Sequence, residues 1–119
     1  MEFINTRERN TGVHVDIINK KTCAKLENFY KILGDNTRLN ILYLLRQHEL
    51  CVHELASELG ISHSLACHQL KILKDNKLVI SRKRGKESVY SLADDHIHEI
   101  IDIAIEHVTE GEKNHETRI

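Results

Sequence analysis

From about Lys21 the apolar residues Leu26, Phe29, Tyr30 and Leu33 recur with helical spacing. Gly34 closes that segment, and Asp35 or Asn36 can cap a second helix reading Arg38-Leu39-Asn40-Ile41-Leu42-Tyr43-Leu44-Leu45. That helix is apolar on most faces and is expected at the centre of the core. Val52, Leu55, Ala56 and Leu59 mark a third, short helix. Gly60 permits a left-handed turn, Ile61 plugs the core, and Ser62 is a good N-cap for a fourth helix with Leu65, Ala66, Leu70, Ile72 and Leu73 mostly inward. Two short helices joined by a tight glycine turn are the helix-turn-helix pattern.

The periodicity then changes to two. Leu78 to Lys83 and Glu87 to Leu92 flank Arg84-Gly85-Lys86, which predicts a β-hairpin with a basic tip. A hairpin that follows a recognition helix is a wing. Helical spacing returns from Asp94 to about Glu112, with Ile97, Ile100, Ile101, Ala104, Ile105 and Val108. Residues 1–19 are polar and weakly patterned and are expected to form a mobile arm. The predicted fold is therefore mainly α with a β-hairpin wing (α+β), a winged helix-turn-helix dimeric through its terminal helices. Its expected parts are an arm over 1–20, the domain over 21–113 and a tail over 114–119.

Composition narrows the function. The chain has 119 residues, which suits one domain, and no apolar run approaches the roughly 20 residues of a membrane span. The first residues lack the apolar core of a signal peptide, so a cytoplasmic protein with no membrane partner is expected. Three cysteines far apart do not make a disulfide framework.

The net charge of -1 conceals an asymmetry. Residues 71–86 hold seven basic side chains and one acid, a local charge of +6, whereas residues 94–112 hold seven acids and no Lys or Arg. The first stretch suits phosphate and the second suits cations. On the fourth helix Ser62, His63, Ser64, His68, Gln69 and Lys71 are expected outward, where small polar residues and Gln can meet base edges in a major groove. Lys71, Lys74 and the wing residues Lys83, Arg84 and Lys86 are expected on phosphates, which supply affinity rather than sequence choice. The expected partner is double-stranded operator DNA, with no small-molecule substrate.

His96 and His107 are eleven residues apart, so they share a helix face within about 20° but lie about 16 Å apart along the axis. A single helix cannot bring both to one ion; two antiparallel copies can. That register also pairs Asp94 with Glu110 and leaves Ile100 and Ile103 as an apolar seam. Two-fold symmetry then makes two sites, each with Asp94 and His96 from one chain and His107 and Glu110 from the other. Two imidazoles and two carboxylates suit tetrahedral Zn²⁺ or Co²⁺. His98 falls outside the pattern and is read as surface.

With these residues in place, the chain resembles the ArsR/SmtB family of metal-responsive repressors. The resemblance runs from about Leu26 to Glu110. It rests on Leu33-Gly34-Asp35-Asn36-Thr37-Arg38, Glu49-Leu50-Cys51-Val52-His53-Glu54-Leu55-Ala56, Ser64-Leu65-Ala66-Cys67-His68-Gln69-Leu70 and Val89-Tyr90-Ser91-Leu92. Asp94-Asp95-His96 and His107-Val108-Thr109-Glu110 are similar to the metal pattern of its zinc-sensing branch. The resemblance implies a homodimer that binds its operator without metal and is released by Zn²⁺, Co²⁺ or Cd²⁺. It also implies a bond from the second nitrogen of His107 to a backbone carbonyl near Lys77. A second site, at Cys51 with thiols of the arm, is implied for some members; here His53 stands for the usual second cysteine, and His14 and Cys23 are the residues available from the arm. Cys67 is read as a packing or DNA-side residue.

Three alternatives stand beside this reading. One keeps the fold but senses redox state, arsenic, cadmium or lead through Cys51 and nearby ligands, with Cys23 and Cys67 as further thiols. Another is a metal-independent DNA-binding dimer. The third is a metal-dependent enzyme, disfavoured because four protein ligands close a zinc site while catalytic zinc keeps an open position.

Overall fold

The computed structural model describes residues 4–8 and 12–117, with side chains over 12–112. The chain divides into two compact units, Met1–Gly34 and Asp35–Ile119.

In the first unit, β1 (Ile4–Glu8) and β2 (His14–Ile18) pair antiparallel, from Ile4 opposite Ile18 to Glu8 opposite His14. The arm expected over 1–20 thus contains regular structure. Its strands carry β-branched Ile4, Thr6, Val15, Ile17 and Ile18, which favour extended backbone, but they are too short to show a clear period. Residues 1–3 and 9–11 of that expected arm lie outside those described. Helix α1 (Lys20–Leu33) starts at Asn19, whose side chain accepts from the Thr22 N–H at 2.9 Å. Its apolar residues are spaced as the sequence predicts, yet none is buried, and Leu26 and Tyr30 are exposed.

The second unit holds the core. Helix α2 (Asn36–Gln47) begins at Asp35, whose carboxylate accepts from the Arg38 N–H at 3.0 Å and satisfies one of the donors a helix start leaves open. Ile41, Leu42 and Leu45 of this helix are buried, as expected of a central helix. A two-residue strand, β3 (Leu50–Cys51), leads into α3 (Val52–Leu59). Gly60 then turns left-handed at φ 63, a conformation other residues reach at a cost of about 1–2 kcal/mol, and Ile61 donates back to the Ala56 carbonyl. Helix α4 (His63–Asp75) follows, with the Ser62 hydroxyl accepting from the Leu65 N–H at 3.0 Å.

α4 buries Ala66, Leu70 and Leu73. Ile72 is half-buried, and Leu65, expected inward, is 38 % exposed. Leu65 lies 100° of helical rotation from Ala66, so it falls on the flank of the buried stripe. The helix ends in a tight reversal: Leu78 donates to the Leu73 carbonyl at 2.9 Å while Lys77 takes a left-handed φ of 62.

β4 (Val79–Arg84) and β5 (Glu87–Leu92) form the hairpin, with Gly85 at φ 65 in its tip. The sheet order is β3-β5-β4, antiparallel throughout, with Cys51 opposite Val89. Sequence periodicity gave no sign of β3, because a two-residue strand has no period. α5 (Asp95–Thr117) closes the unit and buries Ile97 and Ile101. It runs past residue 113, through most of the tail expected at 114–119; residues 118 and 119 lie outside those described. Among the described residues no helix is long and apolar enough to cross a membrane.

Candidate nucleic-acid interface and metal ligands

The three-residue turn between α3 and α4 and the hairpin after α4 give a winged helix-turn-helix. Ser64, His68 and Lys71 stand on the exposed side of α4, opposite its buried stripe. His63 and Lys74 are exposed on the flank toward the hairpin; Lys74 bonds the Ser81 hydroxyl of β4 at 2.8 Å. Ser62 is exposed, although its hydroxyl is engaged as the cap. Gln69, expected outward, is half-buried, and its carboxamide oxygen accepts from the Arg38 guanidinium at 3.0 Å. This bond links α2 to α4 and fixes the carboxamide.

The basic stretch is partly neutralised by acids of the same chain. Arg82 pairs with Glu49 at 2.9 Å, Lys71 with Asp75 at 3.1 Å and Arg84 with Glu87 at 4.0 Å. The Arg82 guanidinium holds the Glu49 carboxyl below its ordinary range, and Glu49 raises Arg82 in return. Lys83, Arg84 and Lys86 are all exposed on the wing, and Lys83 and Lys86 make no ion pair among the described residues. Exposed pairs such as Lys71–Asp75 contribute at most about 1 kcal/mol and yield readily to a phosphate.

At the other end of the unit, Asp94 caps α5: its Oδ1 accepts from the Ile97 N–H at 3.1 Å. The same oxygen lies 3.7 Å from His96 Nδ1, near the about 3.4 Å edge that oxygen and nitrogen ligands span around tetrahedral zinc. Oδ1 therefore both caps α5 and faces the His96 ring. His107 and Glu110 are exposed further along the same helix. Among the described residues of one chain no three such ligands gather, and His96 and His107 lie about 16 Å apart along the helix axis. The donors fit a tetrahedral ion only if a second copy of the helix supplies the rest. His98, read as surface, is 3.3 Å from Asp102, which also pairs with Arg46 of α2. That pairing raises Arg46 and ties α5 to α2.

Cys51 is buried at the start of α3, where its N–H donates to the Glu54 carboxylate at 2.9 Å. That bond lowers the Glu54 carboxyl from its ordinary value. His53 is exposed. His14 and exposed Cys23 belong to the first unit. Sequence reasoning missed the contact between His63 Nδ1 and Cys67 Sγ, 3.6 Å apart on α4. Their spacing of four residues was the available signal.

The fold and the exposed basic wing define a winged helix-turn-helix protein of the DNA-binding type. Comparison with known proteins supplies the family. The profile of the bacterial regulatory proteins of the arsR family matches residues 35–81. The chain is 32 % identical over 105 residues to a transcriptional repressor SmtB homolog of Synechocystis sp., covering 88 % of this chain and 80 % of that one. It is 36 % identical over 108 residues to a cadmium resistance transcriptional regulatory protein CadC homolog of Staphylococcus aureus, covering 84 % and 89 %. Among solved structures, the homodimeric winged helix-turn-helix DNA-binding domain of a possible ArsR-family transcriptional regulator from Mycobacterium bovis is similar, with TM-score 0.71 and 26 % identity over 79 % of this chain and 89 % of that one. This chain belongs to the arsR family of bacterial regulatory proteins.

Proposed function

We propose that the protein is a metal-responsive transcriptional repressor. As a homodimer without metal it binds operator DNA through α4 and the wing, and it lets go when Zn²⁺, Co²⁺ or Cd²⁺ occupies a site between paired copies of α5. Each site would use Asp94 and His96 of one protomer with His107 of the partner subunit and Glu110 of the partner subunit. The observation that carries this reading is the outward face of α5. His96, Ile100, Ile103, His107 and Glu110 lie within one narrow sector, and all are exposed. Ile103 is 65 % exposed, an apolar seam consistent with a second helix laid across it.

A route from this site to the reading head is also at hand. Asp94 shares one open hollow with Lys74 and Lys77, at the end of α4. Asp94 and His96, if they held an ion, would place it at a helix start beside the left-handed Lys77 turn that ends the recognition helix. The coupling is then a free-energy difference between two arrangements of the same contacts.

The test is operator affinity of purified protein with and without Zn²⁺, in the wild type and in His107→Gln. The wild type is expected to lose affinity by about 5- to 150-fold on adding zinc, the usual range for coupled sites. His107→Gln is expected to bind the operator normally and to ignore zinc. Normal zinc release in that variant would reject the intersubunit site.

A further inference from the structure

Two of the three cysteines and two of the nine histidines line one open groove of about 370 Å³, between the start of α3, the flank of α4 and β5 of the wing. They are Cys51, His53, His63 and Cys67, with Glu87 and Tyr90 on the facing wall. None belongs to the site on α5. The groove lies wholly within the second unit and draws on no residue of the arm.

The pair at its centre has the dimensions of a metal site. Ligand distances of about 2.3 Å to sulfur and about 2.0–2.1 Å to nitrogen, at the tetrahedral angle, place the two donor atoms about 3.6 Å apart. His63 Nδ1 and Cys67 Sγ stand 3.6 Å apart. The two donor atoms thus stand at the separation of one edge of a zinc tetrahedron, on successive turns of one helix. Both side chains are exposed, so an ion can reach them.

We infer that this groove is a second metal site, for a thiophilic divalent ion such as Zn²⁺ or Cd²⁺, held by His63, Cys67 and His53. Among the described residues no three donors already converge on one point, so the third ligand has to move in. His53 is exposed at the start of α3, and exposed side chains change rotamer within nanoseconds. Cys51 stays at the base of the groove as the cap of α3, its Sγ and N–H both engaged with Glu54. The bound thiolate has lost its proton to solvent, and the soft sulfur selects against Mg²⁺ and Ca²⁺. An ion here would tie the recognition helix to α3 beside the wing. It would act on the DNA-facing element directly rather than through α5.

The experiment is a Co²⁺ titration of the reduced full-length protein, read at the thiolate-to-cobalt charge-transfer band in the near ultraviolet. The α5 ligands are oxygen and nitrogen only, so that site contributes no such band, and His107→Gln is expected to retain it. Cys67→Ser should abolish the band and remove about one equivalent of bound cobalt per chain, while Cys51→Ser and Cys23→Ser keep it. His63→Ala should weaken cobalt binding at this band at least about tenfold, as loss of even an indirect partner of a metal ligand commonly does. A wild type without the band, or a band that survives Cys67→Ser, would overturn the assignment. Neither result would touch the zinc response assigned to α5.

Discussion

Removing the free charges of the wing gives a test whose size can be worked out in advance. Lys83 and Lys86 are exposed and unpaired among the described residues, whereas Arg82 is held by Glu49 and Arg84 lies near Glu87. Consider the double substitution Lys83→Ala, Lys86→Ala. If each lysine neutralises one phosphate, a dimer loses four such contacts. Each contact contributes about 0.9 to the slope of log affinity against log salt, so the slope should become shallower by about 3.6. Between about 50 and 200 mM salt the wild type should then lose about 150-fold more affinity than the variant. The assay is fluorescence anisotropy with operator and with unrelated duplex across that range. Both duplexes should show the same change in slope, because phosphate contacts carry no sequence information. Arg82→Ala, measured in parallel, should change the slope far less, since its charge is already matched by Glu49. An unchanged slope in the lysine variant would refute the placement of the wing on the backbone.

Two further outcomes concern the scaffold. Leu70→Ala empties a fully buried position between α4 and the rest of the core and should cost about 2–5 kcal/mol in denaturant unfolding; a loss below about 1 kcal/mol would mean that α4 is not anchored there. The Glu54 carboxyl lies below its ordinary value of 4.5 because it accepts the Cys51 N–H, so its contribution to stability is complete above about pH 4.5 and fades as pH falls through the lower folded value. Glu54→Gln should therefore be less stable than the wild type at neutral pH, with the difference closing below pH 4.5; a difference that is constant with pH would assign the effect to packing instead.

What the sequence by itself determined is local. Helix starts were legible at Asp35 and Ser62, because a cap needs one oxygen three residues before the N–H it accepts, and chain spacing alone fixes that. Gly60 and the basic hairpin around Gly85 were legible because positive φ and a change of period are properties of a few consecutive residues. That His96, Ile100, Ile103, His107 and Glu110 share one face of α5 follows from helix geometry and needs no tertiary information. Other features needed partners distant in sequence. Arg38 turns Gln69 from a free base reader into a linked side chain, and Glu49 takes Arg82 out of the basic patch; these partners are 31 and 33 residues away. β3 exists only because β5 offers it an edge. The groove that gathers Cys51, His53, His63 and Cys67 arises because the glycine turn folds α4 back beside the start of α3 and the sheet brings the wing against both. Capping, turning and periodicity act within a few residues and can be read along the chain. Charge pairing and shared cavities depend on distances that only the folded backbone sets.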